Sequence, residues 1–202
     1  MGLSIHYSGK LKSKDLLNNL IEEVENFCEA YEWEHHVFER EFPDSVFGKT
    51  EFTGNLYGII FNPPGCETVS FAFLSNGKVC TPAMLLFYAE SGDKSLEELI
   101  TGVHVKTEYA GIEIHSLLIR FFKYSAPKYL NDFKMTDEGG FWETKDERTL
   151  LKQFKSYDEV MDKFNYALQN CPKFEDEKFG DYLKRVMGSD YEKLKKPPAN
   201  EL

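Results

Sequence analysis

Four side chains in this sequence are of types that act on ligands and stand where they could act together: His6, His104, Lys106 and Glu108. Residues 3–7 and 103–107 alternate apolar and polar positions, the period of a half-buried strand. If Leu3, Ile5, Val103 and Val105 turn inward, His6, His104 and Lys106 project from the opposite face, and Glu108 continues the alternation. Two imidazoles, an ammonium and a carboxylate on neighbouring strands can hold a small polar or anionic ligand and exchange protons with it. Ser4, Ser70, Asp132, Lys134 and Thr136 fall on the same polar face. A one-sided antiparallel sheet also shows such side chains to water, so a solvated face is the competing reading.

Other chemistry-bearing residues point less far. Adjacent strand positions face opposite ways, so His35 and His36 cannot chelate one ion together. His115 has no H-E-x-x-H partner and reads as a helix-surface or interface residue. Cys28, Cys66, Cys80 and Cys171 have no ligand-like spacing, which removes zinc-ribbon and thioredoxin-like readings and leaves reduced thiols. No G-x-S-x-G, P-loop or G-x-G-x-x-G is present, so the enzyme classes that use them lose their support. No metal and no cofactor is expected. Residues 137–143 (Asp-Glu-Gly-Gly-Phe-Trp-Glu) gather three carboxylates and two aromatics around a glycine pair. The favoured reading is an acidic turn before a helix N-terminus, with Trp142 covering a sheet edge. Presentation of Trp142 to a partner is the functional alternative.

The segment Ile5-His6-Tyr7-Ser8-Gly9-Lys10-Leu11, with Thr136-Asp137-Glu138-Gly139-Gly140 and the following Trp142, resembles a group of bacterial proteins with no assigned role. The resemblance spans most of residues 1–170 and implies no chemistry.

The elements that must position these residues follow from periodicity. Ser13 caps a helix whose stripe runs through Leu16, Leu17, Leu20, Ile21, Val24, Phe27, Cys28 and Tyr31. Residues 33–42 and 56–61 read as strands, as do 69–73, where Val69, Phe71 and Phe73 alternate with Ser70 and Ala72. Residues 79–88 give a further strand interrupted by Pro82, and the apolar run 83–89 is too short to cross a bilayer. Ser75-Asn76-Gly77 is a hairpin signal in which Asn and Gly both accept positive φ. Ser95 opens a capping box for a short helix, and a long helix starts near Gly111 with Ile114, Leu117, Leu118, Phe121 and Phe122 as its stripe, to be ended or kinked by Pro127. Phe133 and Met135 mark a last strand. The capping boxes Thr144/Glu147 and Ser156/Glu159 predict a short helix followed by a longer one. A final amphipathic helix through Phe179, Tyr182, Leu183 and Val186 precedes a disordered Lys195-Lys196-Pro197-Pro198 tail.

Composition bounds the function. The chain has 202 residues, 24 basic and 34 acidic, for a net charge of -10. That balance argues against a nucleic-acid binder and disfavours anionic membranes and polyphosphates. The acidic excess lies within residues 1–170. Residues 1–10 show no basic segment leading into an apolar stretch, so a cytoplasmic location is expected. The expected architecture is α+β: a mainly antiparallel sheet with two or three long helices packed on one face, residues 1–170 as one domain and 171–202 as a helical C-terminal extension. The leading functional expectation is a non-enzymatic acidic module that binds a basic protein partner. The alternative is a small-molecule-binding protein or enzyme using His6, His104, Lys106 and Glu108. A homodimer joined through an exposed sheet edge is compatible with either.

Overall fold

The computed structural model describes residues 3–43, 45–49, 54–91 and 97–188. The fold is α+β, with two small antiparallel sheets where one was expected. In the first, β1 (Ser4–Leu11) lies between β5 (Val103–Lys106) and β6 (Leu130–Asp137). In the second, β3 (Tyr57–Asn62) lies between β2 (Glu34–Val37) and β4 (Val69–Phe73). The turn after β4 joins them. Phe73 bridges Val79, whose N–H donates to the Gly9 carbonyl at 3.0 Å, while the Leu11 N–H donates to the Gly77 carbonyl at 2.8 Å. The Tyr7 hydroxyl adds a second link, donating to the Ser70 carbonyl and accepting from the Ser70 N–H, both at 2.9 Å.

Two long helices cover the inner faces of both sheets. In α1 (Leu17–Ala30), Leu17, Leu20, Ile21, Val24 and Cys28 are buried as the stripe requires. Ser13 accepts the Asp15 N–H and starts a 3-10 turn, Lys14–Leu16, that leads into α1. In α4 (Gly111–Tyr129), Phe121 stacks on Phe27 of α1 with ring centroids 4.2 Å apart. Phe122 lies against Tyr7 of the first sheet and Phe71 of the second, at 4.6 and 5.2 Å, so one helix residue spans the junction. The buried face of α4 also takes His115, Ile119, Ser125 and Ala126, a rotation from the expected stripe that leaves Ile114 and Leu117 half-buried.

The outer faces differ. Over the second sheet, α2 (Pro82–Ser91) and α3 (Glu97–Thr101) form a further apolar layer in which Leu85 and Ile100 meet Ala72, Leu74 and Cys80. Residues 82–91 are therefore helical, not a strand. Proline at the first helical position has no N–H to lose, and a seven-residue apolar run has no periodicity to choose between the two structures. Ser70, expected on the polar face, and Ala72, two residues along, are buried beneath this layer, and the Ser70 hydroxyl donates to the Cys80 carbonyl at 2.6 Å. Among the described residues, no helix-derived apolar layer of that kind covers the outer face of the first sheet.

The C-terminal half ends in α5 (Phe141–Thr144), α6 (Glu147–Asn170) and α7 (Phe179–Met187). Asp146 caps α6 by accepting the Arg148 N–H at 3.0 Å, and Thr144 belongs to the preceding helix, which corrects the first capping box. Ser156 and Glu159 lie inside α6, so no new helix starts there. α7 packs back on α6, with Val160, Ala167, Tyr182 and Met187 buried. The turn after β4 has positive φ at Gly77 and not at Asn76. Ser95 and the 195–198 tail lie outside the described residues.

Candidate functional site

Strand parity holds on the first sheet. Ile5 and Tyr7 are buried inward, and His6 pairs directly with His104 across the β1–β5 ladder. Their rings project from the outer face with centroids 6.2 Å apart and side chains 49% and 56% exposed. Each ring has a carboxylate: His6 Nε2 is 3.5 Å from Glu138 Oε1, and His104 Nε2 is 3.9 Å from Glu67 Oε2. Those carboxylates also tie down strand ends, because Glu138 accepts the Ser4 N–H at 2.8 Å and Glu67 accepts the Lys106 N–H at 3.1 Å. The rings line an open hollow of about 400 Å³ with Ser8, Leu99, Lys134 and Thr136.

Lys106 and Glu108 form a separate cluster. Lys106 stands opposite Ser4 on the same face, and its ammonium lies 3.0 Å from Glu108 Oε1. Glu108 follows the strand, and its side chain is 1% exposed. Burial opposes its charge, but the Tyr157 hydroxyl, the Lys106 ammonium and the Tyr109 hydroxyl outweigh burial and hold the carboxyl below its usual range. The four residues are thus two pairs: the histidines over an open hollow, and an ion pair whose acid is withdrawn from it.

Sequence reasoning missed a buried polar knot. His115, read as a helix-surface or interface residue, is fully buried, which corrects the helix-surface half of that reading. Its Nδ1 is 2.7 Å from Thr107 Oγ1, a hydroxyl that also reaches the Leu3 carbonyl at 3.0 Å. Its Nε2 is 3.0 Å from Asp137 Oδ1, an ion-pair distance without hydrogen-bond alignment. Asp137 accepts the Gly139 N–H at 2.7 Å and the Trp142 N–H at 2.8 Å. Burial works against its charge, but the His115 ring and the two N–H groups together hold its carboxyl below the usual range. A Cβ on Gly139 would come within 2.5 Å of Leu150 Cδ1 and 2.8 Å of His115 Nε2, so any side chain there would displace Leu150 and the His115 ring. The glycine pair after Asp137 was the available signal. This is a structural joint among β5, α4, β6 and α6, and Trp142 packs on Phe133 of β6 as the structural reading of the loop expects.

A second missed feature is on α2. Its sequence is apolar around almost its whole circumference, Pro-Ala-Met-Leu-Leu-Phe-Tyr-Ala, yet among its described side chains only Leu85 is buried. Leu86 and Phe87 are 68% and 64% exposed, and Leu99 of α3 is 53% exposed. Among the described residues, no group of three or more His, Cys, Asp or Glu is placed to hold a metal ion, and no helix is long and apolar enough to cross a membrane. Burial pushes the thiols of Cys28, Cys66 and Cys80 up to about 12, assisted at Cys28 by Glu25 and Glu29 and at Cys66 by Glu67. No family model, curated protein or solved structure matches this chain.

Proposed function

We propose that this chain is a non-enzymatic protein-binding module, acting in the cytoplasm, that meets a basic protein partner over the outer side of α2. The observation that carries this reading is the helix itself. A helix apolar on all sides is normally enclosed, and here the side bearing Leu86 and Phe87 faces solvent. Exposed leucine and phenylalanine of this kind form the apolar centre of an interface, with charge at its rim. The sequence that follows is acidic, with Glu90, Asp93, Glu97 and Glu98 against Lys94. A partner with an apolar anchor flanked by lysine or arginine is complementary.

Thiols raised to about 12 are poor nucleophiles, which fits a module that binds rather than reacts. The test is affinity capture from cell extract with the wild-type chain and with a Leu86→Asp/Phe87→Asp variant. The expected result is a basic protein that binds the wild type, is released as salt rises, and is lost with the variant while the melting temperature changes little. Equal capture by both proteins, or concentration-dependent self-association that the double substitution removes, overturns the reading.

The small-molecule alternative rests on the open outer face of the first sheet, and it has one specific observation in its favour, the hollow beneath His6 and His104.

A further inference from the structure

Going beyond the protein-binding reading, we infer that the outer face of the first sheet carries a binding site for a phosphorylated small molecule, with Lys10, Lys78 and Lys134 holding the phosphate. The three lysines line one hollow of about 270 Å³ with Ser8, Gly9, Thr101 and Asp132. Lys10 and Lys78 are direct cross-strand partners, and Lys134 is paired in register with Ser8. Like charges placed opposite one another on a sheet repel and destabilise it. Among the described residues, none of the three takes part in an ion pair, and the Ser8 hydroxyl has no hydrogen-bond partner.

Charge compensation is uneven along the same face. Lys106 has Glu108, His104 has Glu67 and His6 has Glu138, whereas at the other end three lysines and a single carboxylate, Asp132, line one hollow without an ion pair among them. With Asp132 as its one carboxylate, this end keeps an excess of positive charge, in a protein whose net charge is -10. The net charge acts at long range and is screened beyond about 8 Å at physiological ionic strength, so the local lysines decide what binds once it arrives.

The arrangement selects the anion. One carboxylate would bring a single charge, whereas a phosphomonoester brings a charge of about -2 at neutral pH and three acceptor oxygens. Lysine ammoniums bind phosphate oxygens as point charges. The hollow shares Ser8 and Lys134 with the one beneath His6 and His104. A phosphate on the lysines would thus place the rest of a small molecule along the histidines and Leu99.

The test is a ¹⁵N–¹H NMR titration of the full chain at low salt with inorganic phosphate, pyrophosphate and a phosphoserine peptide. Saturable shifts at residues 8–10, 78 and 132–134 with the free anions are the expected result. Each of Lys10→Gln, Lys78→Gln and Lys134→Gln should weaken binding about tenfold, the scale of one charge-assisted contact. Lys173→Gln, on the C-terminal extension, should leave it unchanged. With no ligand present, Lys78→Gln should raise the melting temperature by relieving repulsion, which shows that the variant is folded. Absence of saturable shifts, equal weakening by Lys173→Gln, or binding of the phosphopeptide without the free anions overturns the assignment.

Discussion

The two sheets share an inner core and have opposite outer faces. On β4 every residue from Val69 to Phe73 is buried, because α2 and α3 cover the outer positions Ser70 and Ala72. On β1 the outer positions His6 and Ser8 stay accessible, opposite His104, Thr136 and Lys134. The difference lies in the side chains. A methyl group and a hydroxyl satisfied by the Cys80 carbonyl cost little to cover, whereas imidazoles and ammoniums keep their water. Strand period alone reports which residues share a face, and the polarity of the outward set decides whether a second layer forms.

The largest expected effect comes from putting charge on the covered face. Ala72 is fully buried, and Ala72→Asp should destabilise the fold by at least about 4 kcal/mol in urea denaturation. Thr136→Asp on the open face should cost about 1 kcal/mol or less. Similar losses at the two sites would mean that the outer faces are not different.

The two sides of α2 sharpen the same contrast. Leu85 is 6% exposed, and Leu85→Ser should cost about 3 kcal/mol, whereas Phe87→Ser should change stability by about 0.5 kcal/mol or less. Matching melting curves for both variants would show that α2 does not pack as described.

At the end of β6, Asp137 shows that the open half also buries a carboxylate when partners surround it. Asp137→Asn should cost about 2 kcal/mol at pH 7. Because the folded-state carboxyl titrates below its unfolded value of about 3.9, its contribution is complete above that pH and is lost as the pH falls through the lowered folded value. The stability gap between wild type and variant should therefore close below about pH 4. A gap that persists unchanged at pH 2 would contradict the carboxylate's role.

The smallest effect has the opposite sign. Glu32 ends α1 in a left-handed conformation with φ 56°, where the Trp33 N–H donates to the Cys28 carbonyl and the Glu32 N–H to the Glu29 carbonyl. Glycine is the usual residue at that position, so Glu32→Gly should raise stability by about 1 kcal/mol, measurable as a higher melting temperature. A loss of stability would show that the Glu32 side chain contributes a contact of its own.

Much of this architecture was legible in the sequence where periodicity was clean. The pairing of His6 with His104 follows from two alternating segments, and α1 follows from an unbroken stripe with Ser13 before it. Legibility ended where a choice depended on neighbours. Residues 83–89 are apolar without period, so only packing on Ala72 and Leu74 decides that they are helical. His115 is polar by type, and its burial is set by Asp137 and Thr107, which come from other parts of the chain. Glu108 continues the strand alternation in sequence, but the turn before α4 carries it out of the ladder.

The most direct test of the proposed docking surface is the labelling rate of a Phe87→Cys thiol by maleimide, in dilute pure protein and in the presence of the captured partner. The account predicts rapid labelling alone, close to that of an unhindered thiol, and protection in the complex, with Leu85→Cys unreactive in both. Protection of position 87 already in the dilute pure protein, or unchanged labelling in the complex, would contradict it.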